Sequence, residues 1–316
     1  MKQIVLLIVL GLLPILLGID GYADPAGMKT NTLVHQGLTR TYHVYLPPGY
    51  SRGKAAPAPL VIALHGGGGT GEKMNRGTGR QITREADRRS WVAVFPEGVN
   101  NGWNDGRKIN TFKDRRRSKV DDVGFIAKLI DRLHTDFNID RKRVYATGIS
   151  NGGFMSLRLA VELSDRIAAV GAVTASLGKV LEHKIPKQPV GVLFMNGTRD
   201  PLVPYEGGQV KVLGRSRGEI LSTEASVQWW VKHLDCGSSP KRSQLPDTVR
   251  IDGTHTEVER YTDCRGRVQV ILYRVIGGGH TWPGGTQYLP KKLIGPVSRD
   301  FQATNKIFDF FAQHHR

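Results

Sequence analysis

The sequence predicts an α/β fold in which a mostly parallel central sheet carries helices on both faces. Two observations point there. Segments of strand composition alternate with segments of helical periodicity along nearly the whole chain, and the central strand segments are continuous apolar runs. A strand that is apolar on both sides must be covered on both sides, as parallel strands under flanking helices are. The length of 316 residues fits one large domain of this kind once the N-terminus is set apart. There Lys2 precedes an apolar run from Ile4 to Leu17, followed by Gly21-Tyr22-Ala23. A charged start, a short apolar stretch and small residues ahead of Asp24 predict a signal peptide over 1–23 and a single domain over 24–316. The run is short for a membrane span and is interrupted by Gly11 and Pro14. The expected destination is therefore secreted or periplasmic, with no membrane span left after cleavage.

The elements follow in order. Arg40 to Leu46 is a β-branched and aromatic run closed by Pro47-Pro48-Gly49, and Leu60 to Leu64 is an apolar strand. Gly71 to Arg89 reads as a polar helix, and Trp91 to Phe95 as a buried strand ended by Pro96. Beyond a loop rich in Gly, Asn and Arg, Asp121 or Asp122 can cap a helix through His134, with Val123, Ile126, Ile130 and Leu133 on one face. Arg143 to Thr147 and Phe154 to Leu163 form a strand and a helix around Gly148-Ile149-Ser150-Asn151-Gly152. Strands over Ile167 to Val173 and Val190 to Met195, a helix from Leu221 to His233, a strand from Val268 to Ile276 and a helix from Asn305 to Gln313 complete the chain.

Cys236 and Cys264 are the only two cysteines, and an oxidising compartment favours joining them. Lysine and arginine outnumber aspartate and glutamate by 45 to 28, a formal charge of +17. The basic residues are scattered, the one dense run (Arg115-Arg116-Arg117-Ser118-Lys119) is short, and no nucleic-acid motif accompanies it. The charge instead suits anionic surfaces or acidic substrates.

Strand, G-x-S-x-G, helix is the setting of a nucleophile elbow, in which glycines on both sides of the serine relieve a crowded turn. Ser150 is thus the candidate nucleophile. A serine hydroxyl needs a base, and the base needs an orienting group. Asp200 and His280 each sit just beyond the end of a predicted strand, in Asn196-Gly197-Thr198-Arg199-Asp200-Pro201 and Gly277-Gly278-Gly279-His280-Thr281-Trp282. The order Ser150, Asp200, His280 is that of the α/β-hydrolases. His65-Gly66-Gly67-Gly68-Gly69 follows a strand where backbone N–H groups could hold an oxyanion, with the N–H of Asn151 as second donor. His134, His183, His233, His255, His314 and His315 lack a strand-end setting and read as structural or solvated. Gly66, Gly68 and Gly71 also satisfy G-x-G-x-x-G with Glu97 ending the following strand, a dinucleotide pattern that would leave the elbow without a role. A phosphate loop is excluded by Glu72 in the lysine position, and no His/Asp/Glu cluster has metal-ligand spacing. No cofactor and no metal are expected.

These motifs, with Trp103-Asn104-Asp105-Gly106-Arg107, Asp121-Asp122-Val123-Gly124-Phe125 and His280-Thr281-Trp282-Pro283-Gly284-Gly285, are similar to the bacterial poly(3-hydroxybutyrate) depolymerase-like esterases, grouped with feruloyl and acetylxylan esterases. The resemblance runs from about Arg40 to the C-terminus. It implies an α/β-hydrolase fold with Ser150 as nucleophile, Asp200 as orienting acid and His280 as general base, and supports a Cys236–Cys264 bridge. The implied substrates are esters: hydroxyalkanoate oligomers or feruloylated and acetylated polysaccharides. Trp103 and Trp282 could form an aromatic wall for the acyl group. Extracellular polymer depolymerases of this type usually append a linker and a substrate-binding module; neither is expected in this sequence, so the expectation is against action on crystalline polyester. A serine peptidase or acyltransferase would share the same three groups, whereas a surface-binding protein would not need them.

Overall fold

The computed structural model describes residues 27–50, 56–107, 119–212 and 214–316. The expected leader and Arg115 to Ser118 of the basic run lie outside the described residues. Twelve strands are described: β1 (Lys29–His35), β2 (Leu38–Tyr45), β3 (Ala58–Leu64), β4 (Val92–Pro96), β5 (Ile139–Ile149), β6 (Ala169–Val173), β7 (Gly191–Gly197), β8 (Gly208–Val212), β9 (Arg215–Ile220), β10 (Lys241–Gln244), β11 (His255–Tyr261) and β12 (Val270–Ile276). The helices are α1 (Gly71–Gly77), α2 (Gln81–Arg89), α3 (Asp122–Phe137), α4 (Asn151–Glu162), α5 (Thr223–His233), α6 (Lys291–Ile294) and α7 (Ala303–Ala312).

Ten of the strands form one sheet in the order β1-β2-β4-β3-β5-β6-β7-β12-β11-β10. The six in the middle, β4 through β12, are mutually parallel, and antiparallel pairs finish both edges. This is the expected α/β-hydrolase architecture. Side chains of a strand alternate between faces, and the buried strands divide accordingly. Leu60, Ile62 and Leu64 join one core with Phe125, Leu129 and Leu133 of α3 and Leu157 of α4. Val61 and Ala63 join the other, with Ile82 of α2 and Ile307, Phe308 and Phe311 of α7. Trp91 stacks on Tyr145 and Phe308, and the Tyr145 hydroxyl donates to the carbonyl of His314 at 2.8 Å, which seats the C-terminal helix against the sheet. His314 itself is buried, and burial pushes its imidazole below the ordinary value.

Three expectations change. The polar helix over Gly71 to Arg89 is two helices, because Arg80 takes a left-handed conformation (φ 59°) and breaks the backbone ladder between α1 and α2. His255 opens strand β11 rather than lying in a loop. The antiparallel edges β1, β10 and β11 and the separate hairpin β8–β9 carry mixed polar sequence, and no apolar run announces them. Cys236 and Cys264 are joined, which ties the residues after α5 to those after β11. Among the described residues no helix is long and apolar enough to cross a membrane.

Candidate active site

Ser150 stands between the end of β5 and the start of α4 with φ 55° and ψ −121°. A non-glycine residue in this region is strained and is held there only by its surroundings. Here the Ser150 N–H donates to the Val173 carbonyl at 2.9 Å and to Thr174 Oγ1 at 3.1 Å. The turn is tight enough that a Cβ on Gly148 would lie 2.5 Å from the Gly152 carbonyl carbon, and one on Gly152 would lie 2.1 Å from the Leu64 oxygen. Only glycine fits at either position. Serine at a helix N-cap ordinarily bonds its own helix; Ser150 makes no such capping bond.

His280 lies beyond the end of β12, and its main chain is fixed by an N–H to Ile294 O bond of 2.6 Å and by the Tyr288 hydroxyl donating to its carbonyl at 2.9 Å. Its Nδ1 is 2.7 Å from Asp200 Oδ2, and both side chains are almost wholly buried. The other Asp200 oxygen accepts the backbone N–H groups of Leu202 and Val203, each at 2.8 Å. With those two donors on one oxygen and His280 on the other, the carboxylate accepts from Nδ1–H, which leaves Nε2 as the nitrogen without a proton. Ser150 and His280 both line a cavity of about 930 Å³.

The glycine loop after β3 forms part of the same cavity. A Cβ built on Gly66 would stand 3.7 Å from Ser150 Cβ, and one on Gly67 would stand 3.8 Å from Asn151 Cβ, so this backbone runs directly past the elbow. Its shape is held by Gly69 N–H to Gly66 O (2.9 Å) and Gly68 N–H to Asn101 O (2.7 Å). His65 braces it from beneath. Its Nδ1 is 2.8 Å from the Gly66 carbonyl, and its Nε2 accepts the Gly98 N–H at 3.0 Å, an arrangement that assigns the proton to Nδ1. Asn151 is the first residue of α4, where main-chain N–H groups have no partner within the helix.

The side chain of Asn151 does something the sequence did not disclose. Its Oδ1 accepts the Trp103 N–H at 2.7 Å, and its Nδ2 donates to Trp103 O (3.0 Å) and Asp105 Oδ2 (2.6 Å). The same Asp105 oxygen receives Arg107, whose guanidinium lies 3.7 Å over the Phe154 ring. This clasp joins segments nearly fifty residues apart; its one sequence signal is the Trp103 to Arg107 motif. Trp103 accordingly does not line the cavity: it is fully buried and donates Nε1 to the His65 carbonyl. Trp282 does line it, with Nε1 turned away to Thr304 Oγ1 at 3.1 Å. Glu97, noted in the sequence only for a nucleotide pattern, instead bonds His43 Nε2 at 3.0 Å and the Gly71 N–H. Among the described residues no cluster of three or more His, Cys, Asp or Glu side chains could hold a metal.

A ring nitrogen oriented by a carboxylate, a strained uncapped serine and a glycine backbone running past it are an arrangement suited to acyl transfer through a serine. A family model described as Esterase PHB depolymerase matches residues 40–185. The chain is 31% identical to the protein named "Putative esterase NocK" of Nocardia uniformis subsp. tsuyamanensis, over 88% of this chain and 80% of that one. It is 28% identical to feruloyl esterase B of Piromyces equi over 75% of this chain, spanning 42% of that longer protein. In fold it is similar to an acetyl xylan esterase from Aspergillus awamori, at a TM-score of 0.57 and 13% identity, over 90% of this chain and 99% of that one.

Proposed function

This chain belongs to the family of PHB depolymerase-like and feruloyl esterases, carboxylic ester hydrolases, and from that premise we propose that it cleaves its ester through a Ser150–His280–Asp200 acyl-enzyme mechanism. The observation that carries the reading is the 2.7 Å contact between His280 Nδ1 and Asp200 at the cavity that Ser150 also lines. His280 Nε2 takes the Ser150 hydroxyl proton as Oγ attacks the ester carbonyl carbon. The oxyanion that forms is held by backbone N–H groups of the Gly66–Gly67 loop and of Asn151. As the tetrahedral intermediate collapses, the C–O bond to the alcohol breaks and the leaving oxygen takes the proton from His280. Water then enters, gives a proton to His280 and attacks the acyl-enzyme. The carboxylic acid is released as the proton returns to Ser150 Oγ. Asp200 stays ionised throughout and stabilises the transient imidazolium.

The substrate is an ester of the feruloylated, acetylated or hydroxyalkanoate kind, with Trp282 forming part of the acyl wall. The Cys236–Cys264 bridge supports an extracytoplasmic place of work, where disulfides persist. An alkyl p-nitrophenyl phosphonate tests the chemistry directly. Stoichiometric loss of activity with the added mass on the Ser150 peptide is expected, as is loss of p-nitrophenyl butyrate hydrolysis in Ser150→Ala. Label on another residue, or activity retained in the variant, moves the nucleophile elsewhere.

A further inference from the structure

Around the cavity that holds Ser150 and His280, the charged side chains among the described lining residues are Lys73, Arg76, Arg107 and Arg217, with no carboxylate among them. We infer that the ester bound here carries a negative charge of its own, a carboxylate separated from the scissile bond by a short apolar stretch. The inference rests on the esterase reading of the same site and narrows its substrate class.

The cations differ in what they have left to offer. Arg107 is buried against Asp105 at 2.6 Å and serves the Asn151 clasp. Arg76 pairs with Glu72 at 2.9 Å, but both side chains are more than half exposed, so that pair is weak and exchangeable. Lys73, one turn before Arg76 on α1, has no ion pair among the described residues. Asp200, the acid bonded to His280, has a side chain only 2% exposed, and no carboxylate lines the cavity among the described residues. A ligand in the cavity therefore meets, at Lys73, a positive charge with no ion-pair partner among the described residues, and beside it an Arg76–Glu72 pair exposed enough to exchange.

The rest of the lining strengthens that field. Met74, Leu202, Val203, Val210, Val212 and Leu289 supply apolar surface. Low-dielectric walls focus the field of rim charges into a cleft, and a net charge of +17 over the chain adds to it at long range. A neutral ester uses the apolar walls and gains nothing from the cations. An ester with an aliphatic arm ending in a carboxylate uses both.

Two matched pairs of substrates test this. p-Nitrophenyl hemiadipate against p-nitrophenyl hexanoate places the charge on the acyl arm. The butyrate ester of 5-hydroxypentanoate against pentyl butyrate places it on the alcohol arm. In at least one pair the anionic member should have a kcat/KM about tenfold higher at low salt, mostly through KM, and raising salt to about 0.5 M should remove most of that advantage. Lys73→Gln and Arg76→Gln, both at exposed positions, should each shrink the anionic-to-neutral ratio severalfold. Hydrolysis of the neutral members with equal or poorer use of the anionic ones at every salt concentration overturns the charge inference and leaves the esterase standing. Turnover of none of the four overturns the esterase reading, and the charge inference with it.

Discussion

The carboxylate of Glu97 accepts the backbone N–H of Gly71 at 2.8 Å, which ties the residue after β4 to the first residue of α1, where the glycine loop that follows β3 ends. Burial alone would raise this carboxyl. The hydrogen bonds from His43 and Gly71 and the nearby His65 outweigh that and hold it below the ordinary value of 4.5. A carboxylate whose pKa is lowered by folding contributes stability above its unfolded value, and that contribution is lost as the pH falls through the folded value. Glu97→Gln should therefore cost about 1–3 kcal/mol at neutral pH and flatten the fall in stability below about pH 4.5. Urea unfolding of both proteins across that range is the check. A parallel curve, merely displaced, would mean that Glu97 does not titrate with the fold.

Asp200→Asn should leave substrate binding nearly intact while kcat falls on the order of 10³–10⁴-fold, because an amide facing Nδ1 selects the wrong imidazole tautomer. Steady-state kinetics on a p-nitrophenyl ester separates the two constants. A large rise in KM with kcat preserved would count against the orienting role.

Asn151→Asp should be more damaging than Asn151→Ala, although it is the closer match in shape. Alanine leaves the Trp103 N–H without its partner and takes one donor from Asp105 Oδ2, which Arg107 still serves, at a cost of about 1–3 kcal/mol. Aspartate adds a second carboxylate where Asn151 Nδ2 now meets Asp105 at 2.6 Å. Thermal melts of the two variants at neutral pH give the ranking, and the reverse order would dissolve the clasp as described.

Replacing both Cys236 and Cys264 with serine opens a loop of sequence separation 28, for which chain entropy predicts a loss of about 3–4 kcal/mol. The bridge lies near the start of β12, whereas His280 follows its far end. Stability should drop while kcat, measured well below the melting temperature, stays close to that of the parent.

The parallel centre of the sheet and the strand-end positions of Ser150, Asp200 and His280 were legible because each rests on a local pattern: an apolar run followed by a loop of distinctive composition. The edge strands were not. Only one residue of Lys29–His35 is buried, so its sequence carries little of the signal that burial imprints. The break between α1 and α2 depends on Arg80 adopting a positive φ, which composition does not encode. Asn151 was read for its N–H alone, because partners at positions 103 and 105 exist only once the chain is folded. Glu97 was visible as a strand-end acid, but its neighbours His43 and Gly71 come together only across β2, β4 and α1.

The hairpin β8–β9 pairs with no strand of the main sheet; a single bridge joins its Ile220 to Gly178 in the segment after β6, and the hairpin supplies Val210, Val212 and Arg217 to the cavity. The proposed reacting groups Ser150, Asp200 and His280 stand at the ends of central strands, and this wall hangs from the segment between Asp200 and α5. Part of the cavity wall and the proposed chemistry thus lie on separate pieces of chain. Lengthening, shortening or exchanging residues 208–220 should therefore alter which esters fit while leaving Ser150, Asp200 and His280 where they are.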